Sequence, residues 1–110
     1  MSAEFAGTLS ERITIERSVT NRDAMGLQEH GWEQVARCRA AIVGEGSGAE
    51  SEGMALSAMQ RFRVTIRSLE GVGIGQRIMW KGRVLMLRQL LIDPQAKDRM
   101  VLRCEEARAQ

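Results

Sequence analysis

The stretch that decides the fold is Arg61-Phe-Arg-Val-Thr-Ile-Arg67, because its side chains alternate between two chemical types. The apolar members are Phe62, Val64 and Ile66, and arginine or threonine stands between them. A pleated strand sends successive side chains to opposite faces, so the pattern predicts a strand with one buried face and one cationic face. Burying each apolar side chain contributes about 1.5–3 kcal/mol, whereas unpaired guanidinium groups cannot be buried without a large desolvation cost. We expect the rest of the chain to complete the same sheet.

Length and composition indicate a single domain over residues 1–110, with short tails at 1–6 and 106–110. The chain is 44% hydrophobic and 27% charged, which is ordinary for a globular protein and argues against disorder along its whole length. No apolar run approaches about 20 residues, and the polar start lacks the regions of a secretory signal. We therefore expect no membrane segment and synthesis in the cytoplasm. The formal net charge of +2 is too small to indicate nucleic-acid binding by itself.

Further strands are predicted by the same alternation before and after this stretch. They are residues 12–17 with Ile13 and Ile15 inward, about 32–43, 77–80, 83–92, and 99–105 with Met100, Leu102 and Cys104 inward. Residues 18–31 are dense in turn formers and are predicted to be a connecting loop. For the second strand, an amphipathic helix over 33–41 is the alternative, but the β phase accounts slightly better for the charges. That phase places on one face Trp32, Ala36, Cys38, Ala40 and Ile42.

A tight hairpin is predicted at Lys81-Gly82, where glycine tolerates a positive φ. Pairing Trp80 with Arg83 would place on one face Ile78, Trp80, Leu85 and Leu87. Strict alternation beyond Leu87 would bury Gln89, so we predict a β-bulge near Arg88-Gln89 that returns Leu90 and Ile92 to the core. Asp93-Pro94 should end this strand, because proline cannot donate a ladder hydrogen bond.

A long glycine-rich loop is predicted at residues 44–58, directly before the organising strand. A loop of this length inside a compact domain is uncommon and is usually functional or mobile. It is interpreted either as a disordered hairpin tip or as a segment that orders against neighbouring subunits or cargo. Together, five or six strands with one long Gly-rich loop, which can include a short helix, predict an all-β fold: a small antiparallel β-barrel or sandwich.

Catalytic, cofactor and metal sites have no candidate residues in the sequence. His30 lies in a polar segment with no Cys, Asp or Glu at metal-ligand spacing. The sequence also offers no general base that would activate a serine or threonine as a nucleophile. Cys38 and Cys104 are too few for a disulfide framework and fall at inward positions, so we interpret both as reduced core residues. An enzyme is therefore not indicated, and no cofactor or metal is expected.

The cationic face is a candidate for an interface or for contact with DNA. Its residues are Arg37, Arg39, Arg61, Arg63 and Arg67. The aromatic residues that would stack on exposed bases are few and mostly inward, which argues against sequence-specific recognition. Non-specific phosphate contact and arginine-carboxylate pairing between subunits both stay open.

These segments, in their order and spacing, resemble one known family. They are Gly7-Thr-Leu-Ser-Glu-Arg-Ile-Thr-Ile15, Asp23 and Gly26, Trp32, Arg39-Ala-Ala41, Glu50, Phe62–Arg67, Arg77-Ile78 with Gly82, Asp93, and Met100-Val-Leu-Arg-Cys104. The family is that of tailed-phage head-tail joining proteins, also called head-closure, stopper or head-tail adaptor proteins. The similarity covers about residues 7–104. The family often has an aromatic then an aliphatic residue where this chain has Leu85 and Leu87.

The resemblance implies a structural subunit of a virion rather than an enzyme. It implies a small β-barrel that forms a ring of six or twelve copies, with a portal or adaptor protein above and a tail terminator or tail protein below. The ring would join head to tail and help retain packaged double-stranded DNA, in a phage, a prophage or a gene transfer agent. The family's long loop tends to project toward the channel, which makes channel-loop candidates of Glu45, Gly46, Gly48, Glu50, Glu52, Gly53 and Met54. The competing interpretation is a stand-alone small β-barrel module that binds nucleic acid non-specifically.

Overall fold

Six antiparallel strands form one closed barrel in the computed structural model, which describes residues 9–47 and 59–107. The strands are β1 (Glu11–Arg22), β2 (Gln28–Ser47), β3 (Gln60–Arg67), β4 (Arg77–Trp80), β5 (Arg83–Leu91) and β6 (Arg99–Glu106). Their order around the barrel is β1-β2-β3-β6-β5-β4, and β4 pairs with β1 to close it. The predicted all-β fold is confirmed, and the helical alternative for residues 33–41 is wrong. No helix that could span a membrane occurs in the described residues.

The core is formed by the inward side chains of every strand. β3 contributes Phe62, Val64 and Ile66, as its alternation predicts, and its arginines point outward and are exposed. The other strands fill the barrel with Ile13, Ile15, Ala40, Ile78, Leu85, Leu87, Met100, Leu102 and Cys104. The core contains no buried polar or charged residue among those described. The hydrophobic effect therefore acts on an apolar interior that one copy of the chain completes.

The predicted β4–β5 hairpin is confirmed in its register and in its turn. Trp80 pairs with Arg83, while Lys81 and Gly82 both have positive φ, 49° and 76°. Two consecutive left-handed residues make the turn type whose twist matches the flanking strands. Glycine adopts this conformation without steric cost.

The predicted bulge in β5 is confirmed, but its consequence for Ile92 is wrong. The register with β6 shifts between Leu87 and Gln89, and Leu90 then packs against the core. Ile92, in contrast, is 61% exposed, because β5 ends at Leu91 and the chain turns away around Asp93. The Asp93 carboxylate accepts a hydrogen bond from the backbone N–H of Gln95 and stabilises that turn.

The predicted loop over residues 18–31 is wrong, because most of it is β-strand. β1 continues to Arg22 and β2 begins at Gln28, and the two strands pair along this whole length. Only residues 14–16 of β1 also pair with β4. Residues 17–33 therefore form a two-stranded ribbon that extends past the barrel, and we call it the arm. None of its residues is buried.

The tip of the arm is closed by a single carboxylate. Asp23 accepts hydrogen bonds from the backbone N–H groups of Met25 and Leu27, at 2.9 and 3.0 Å. Gly26 completes the turn with a φ of +82°. The turn itself is thus only five residues long, 23–27. The other turn formers of the predicted loop, Asn21 and Gly31, belong to the parts of β1 and β2 that lack a buried face.

Trp32 lies on the opposite face from the one that the sequence predicts. Ile15 pairs with Ala36 and Glu16 with Gln34, so Val35 is an extra residue that makes a β-bulge. A bulge reverses the alternation beyond it. Trp32 is consequently 39% exposed, and Val35 packs against the core in its place.

The first residues of the predicted 44–58 loop and of the predicted 106–110 tail also differ from the structure. β2 continues beyond Gly44 to Ser47, with Gly46 opposite Arg61 and a register shift that leaves Glu45 as the extra residue. The predicted 44–58 loop thus begins with strand residues, and 48–58 lie outside the described residues. At the other end, Glu106 belongs to β6 rather than to a tail.

Candidate interaction surfaces

Arginine side chains stand opposite one another on the outer face of the barrel at three places. The pairs are Arg12 with Arg39, Arg63 with Arg103, and Arg67 with Arg99. Like charges directly opposite one another destabilise an antiparallel pair. Each pair is therefore expected to need an anion nearby.

The pair Arg63 and Arg103 is neutralised by Glu45. Its two carboxylate oxygens lie 3.2 Å from Nη2 of Arg63 and 3.3 Å from Nε of Arg103. The bulge at Gly44–Gly46 inserts this residue into the outer face, where its side chain is only 18% exposed. Glu45 thus holds the end of β2 against β3 and β6.

Two further carboxylates neutralise other arginines of this face. Glu105 lies 3.1 Å from Arg88 and 3.9 Å from Arg61. Asp98 lies 3.3 Å from its neighbour Arg99, whose hydrogen bonds lower the pKa of the Asp98 carboxyl. Arg61 and Arg63, both predicted to be available for partners, are therefore paired within the chain.

Four arginines on the barrel make no ion pair with any described residue. They are Arg12, Arg37, Arg39 and Arg67, and we call them the open patch; Arg22 in the arm shares this property. A depression of about 250 Å³ lies between β1 and β2 and is lined by the first three. Of the five arginines of the predicted cationic face, two are therefore neutralised by carboxylates of the chain, and three belong to the open patch.

The aromatic side chains are already covered by cations of the same chain. The guanidinium of Arg77 lies 4.1 Å from the centroid of the Trp32 ring and also binds Glu16 at 2.7 Å. Arg83 lies 4.9 Å from the Phe62 ring and 5.1 Å from the Trp80 ring, which pack edge to face. These contacts are cation–π interactions. They leave no open aromatic platform for base stacking among the described residues.

The family of the chain is shown by a match to a family model. The model described as phage head completion protein matches residues 6–107. The chain belongs to this family. The resemblance found in the sequence is therefore confirmed, and this head completion protein is a structural component of a virion.

Two solved structures are similar to this head completion protein. Protein SF1141 from Shigella flexneri 2a, known from a solution structure, is 28% identical with a TM-score of 0.71, covering 94% of this chain and 97% of that one. A chain in the virion of a native gene transfer agent particle is 14% identical with a TM-score of 0.68, covering 92% and 97%. At that identity the second likeness shows the fold alone. A search of curated proteins finds no match.

In the barrel of the head completion protein, side chains of the β4–β5 hairpin bind the first residue of β1, Glu11, and the last residue of β6, Glu106. Glu11 accepts a hydrogen bond from the indole N–H of Trp80 at 2.8 Å and binds Lys81 at 3.2 Å, and the Trp80 contact is the main reason that the pKa of Glu11 is lowered. Arg83 binds Glu106 through two hydrogen bonds of 2.8 and 2.6 Å. That pairing lowers the pKa of Glu106 and raises the pKa of Arg83.

The cysteines and the histidine occupy structural positions. Burial raises the pKa of Cys104 to about 12 and raises that of the half-buried Cys38, so neither is a reactive thiolate at neutral pH. His30 lies in β2 rather than in a loop, with Nδ1 3.3 Å from the Thr20 hydroxyl. No cluster of metal-binding side chains occurs in residues 9–47 or 59–107.

The predicted channel-loop residues fall partly outside the described part of the chain. Glu45 and Gly46 lie in β2, as above. The others are Gly48, Glu50, Glu52, Gly53 and Met54, and all of them lie in 48–58. The candidate residues predicted from the sequence did not include Arg12, Arg103 or Glu105, although the alternation in 12–17 and 99–105 places all three outward. It could not have paired them, because pairing depends on strand order.

Proposed function

We propose that this head completion protein assembles as a ring of six or twelve copies that joins head to tail. A portal or adaptor protein would lie above it and a tail terminator or tail protein below, with packaged double-stranded DNA in the channel. The observation that carries this proposal is a barrel that buries its own core and leaves the arm projecting past it. Such a subunit can fold before assembly and still present surfaces to neighbours. Family membership supports the same role.

The segment between β2 and β3 is proposed to project toward the channel and help retain DNA. Glu45 would anchor its first end, because its ion pairs to Arg63 and Arg103 fix the end of β2. Glu50 and Glu52 would keep the segment extended near the DNA by charge repulsion, with Gly48 and Gly53 as hinges. Met54 would complete the part that meets neighbouring subunits or DNA.

Deletion tests this retention role separately from folding. Removing residues 48–57 spares the paired residues Gly46 and Ser47, so the barrel should fold with an unchanged far-UV circular dichroism spectrum. Particles carrying the deletion should form but lose DNA, measured as nuclease-sensitive genome copies per particle. The control is the double variant Glu50→Gln with Glu52→Gln, which keeps the length of the segment. Particles with this variant should lose less DNA than particles with the deletion. Full retention by the deleted particles would refute the role.

The ring itself is tested by electron microscopy of particles that carry the protein. We expect symmetric density between portal and tail, in the neck of a phage, prophage or gene transfer agent particle assembled in a bacterial cytoplasm. The absence of such density would refute the joining role.

The open patch supports a second candidate, a module that binds nucleic acid non-specifically. Its four arginines, which make no ion pair within residues 9–47 and 59–107, could contact phosphates. This candidate predicts that the monomer binds a 20-residue single-stranded oligonucleotide with a steep salt dependence. The ring proposal predicts no such binding by the free monomer.

A further inference from the structure

The open patch is part of a row of arginines that crosses four neighbouring strands. Arg12 pairs with Arg39, and Arg67 pairs with Arg99. Ala40 of β2 pairs with Ile66 of the antiparallel strand β3. The next residues beyond this pair, Arg39 and Arg67, therefore lie side by side on adjacent strands, and both point outward. With strands about 4.8 Å apart, four guanidinium groups follow one another over roughly 15 Å. Only Arg99 has a carboxylate from a described residue, Asp98.

The rest of the outer face shows how this chain neutralises such arginines. Glu45 bridges the opposed pair Arg63 and Arg103, and Glu105 contacts both Arg61 and Arg88. In both places one carboxylate lies between two guanidinium groups. Arg12 and Arg39 have the same opposed geometry without the carboxylate.

The acids that flank Arg12 along β1 bind other residues. Glu11 is adjacent to Arg12 in sequence but binds Trp80 and Lys81. Glu16, which points outward four residues after Arg12, binds Arg77. Within residues 9–47 and 59–107, the chain therefore supplies no anion to Arg12, Arg37 or Arg39.

We propose that Arg12, Arg37, Arg39 and Arg67 form a docking patch for an acidic segment of a neighbouring protein in the particle, whose carboxylates bridge these arginines as Glu45 bridges Arg63 and Arg103. The location of that neighbour rests on the proposed function, whereas the patch and its chemistry do not. Arginine suits this role because its planar fork binds carboxylates in a bidentate way.

A protein segment fits the patch better than duplex DNA does. The opposed pair Arg63 and Arg103 has the same strand geometry as Arg12 and Arg39, and a side-chain carboxylate, that of Glu45, bridges it. The chain itself thus shows that a protein carboxylate fits between opposed arginines of this face. The formal net charge of the whole chain, +2, is also small for a DNA-binding protein.

The first test measures the stability of the purified full-length protein. Arg39→Gln removes a repulsion that no described carboxylate offsets, so Tm should rise by about 1–5 °C at low salt. Arg103→Gln is the matched control, because it leaves Glu45 with one partner and should lower Tm or leave it unchanged. A fall in Tm for Arg39→Gln would overturn the proposal, since the arginine would then be satisfied within the chain.

The second test measures binding by nuclear magnetic resonance titration with a ten-residue peptide of alternating Glu and Ser. Amide signals of residues 11–14, 37–40 and 66–67 should shift, and the peptide with Gln in place of Glu should cause no shift. The double variant Arg39→Gln with Arg67→Gln should weaken binding about tenfold, while Arg22→Gln in the arm should not.

Three outcomes of the titration would overturn the proposal: shifts confined to other residues, equal binding by the double variant, and tighter binding of a 20-base-pair duplex than of the acidic peptide. The last would assign the patch to DNA. These results are independent of ring density in particles, so a failure here is distinguishable from a failure of the proposed function.

Discussion

The barrel and the arm contain parts of the same two strands, β1 and β2, but they are stabilised in different ways. Within the barrel each strand has two neighbours and one face against the core. In the arm, residues 17–33 have one neighbour strand and no buried side chain. A two-stranded ribbon without packing is only marginally stable in water. The difference teaches that continuous pairing does not make a strand part of the cooperative core, and that the arm can open locally while the barrel stays folded.

The largest effect is expected from a cavity in the barrel. Leu102 is fully buried, so Leu102→Ala should lower the free energy of unfolding by about 2–5 kcal/mol. The matched change in the arm, Val19→Ala, should lower it by less than about 0.5 kcal/mol, because Val19 packs on no core. Urea unfolding followed by tryptophan fluorescence measures both. Equal losses would show that arm and barrel unfold as one unit.

A smaller effect is expected from the carboxylate that bridges two arginines. Glu45→Gln leaves Arg63 and Arg103 opposed without an anion and should cost about 1 kcal/mol at low salt, less at high salt. Glu29→Gln, at an exposed arm position with no ion pair among the described residues, is the control. Urea unfolding at two salt concentrations measures both variants. A salt-independent loss would mean that packing rather than charge explains the effect.

Acid should destabilise the barrel through the carboxyls that bind cations. The pKa of Glu106 lies below its ordinary value of 4.5, mainly because Arg83 donates hydrogen bonds to it, and those of Glu11 and Asp98 are lowered too. A lowered folded-state pKa adds stability above the unfolded value and loses it as pH falls through the folded value. The free energy of unfolding should therefore be flat between about pH 5 and 8 and decline below about pH 4.5.

The residue that carries this acid response can be identified by substitution. Glu106→Gln should reduce the slope below pH 4.5, whereas Glu70→Gln, which is exposed, should leave it unchanged. Urea unfolding at a series of pH values measures the slope. An unchanged slope in Glu106→Gln would assign the response to other carboxyls.

The smallest effect on global stability is expected at the tip of the arm. Asp23→Ala removes the acceptor for two backbone N–H groups, so amide exchange of residues 19–30 should accelerate about fivefold, corresponding to roughly 1 kcal/mol of local stability. Exchange of β3 and β6 amides should not change. Asp23→Asn keeps an acceptor oxygen and should restore most of the protection. Faster exchange throughout the barrel would show that arm and barrel are coupled.

The sequence predicted the strands of the barrel well, because these strands have one apolar and one polar side, but it left a barrel and a sandwich as alternatives. Phe62, Val64 and Ile66, and the bulge near Arg88, follow directly from an alternation that a buried face imposes. The arm was missed because both of its faces meet water, so no alternation marks it. Trp32 was misplaced because the bulge at Val35 reverses the alternation, and a single extra residue leaves no clear signal in sequence.

By itself, the sequence determined the all-β class, the inward residues of β3 and β6, the hairpin at Lys81-Gly82 and the family of the chain. Those features depend on local patterns and on residue types. Only the tertiary structure decided which arginines face an in-chain carboxylate. Arg63 and Arg67 are equivalent in the sequence alternation, yet Glu45 binds the first, while the second makes no ion pair with any described residue. The physical reason is that charge pairing depends on which strands become neighbours and on their register, and closure of the barrel sets both.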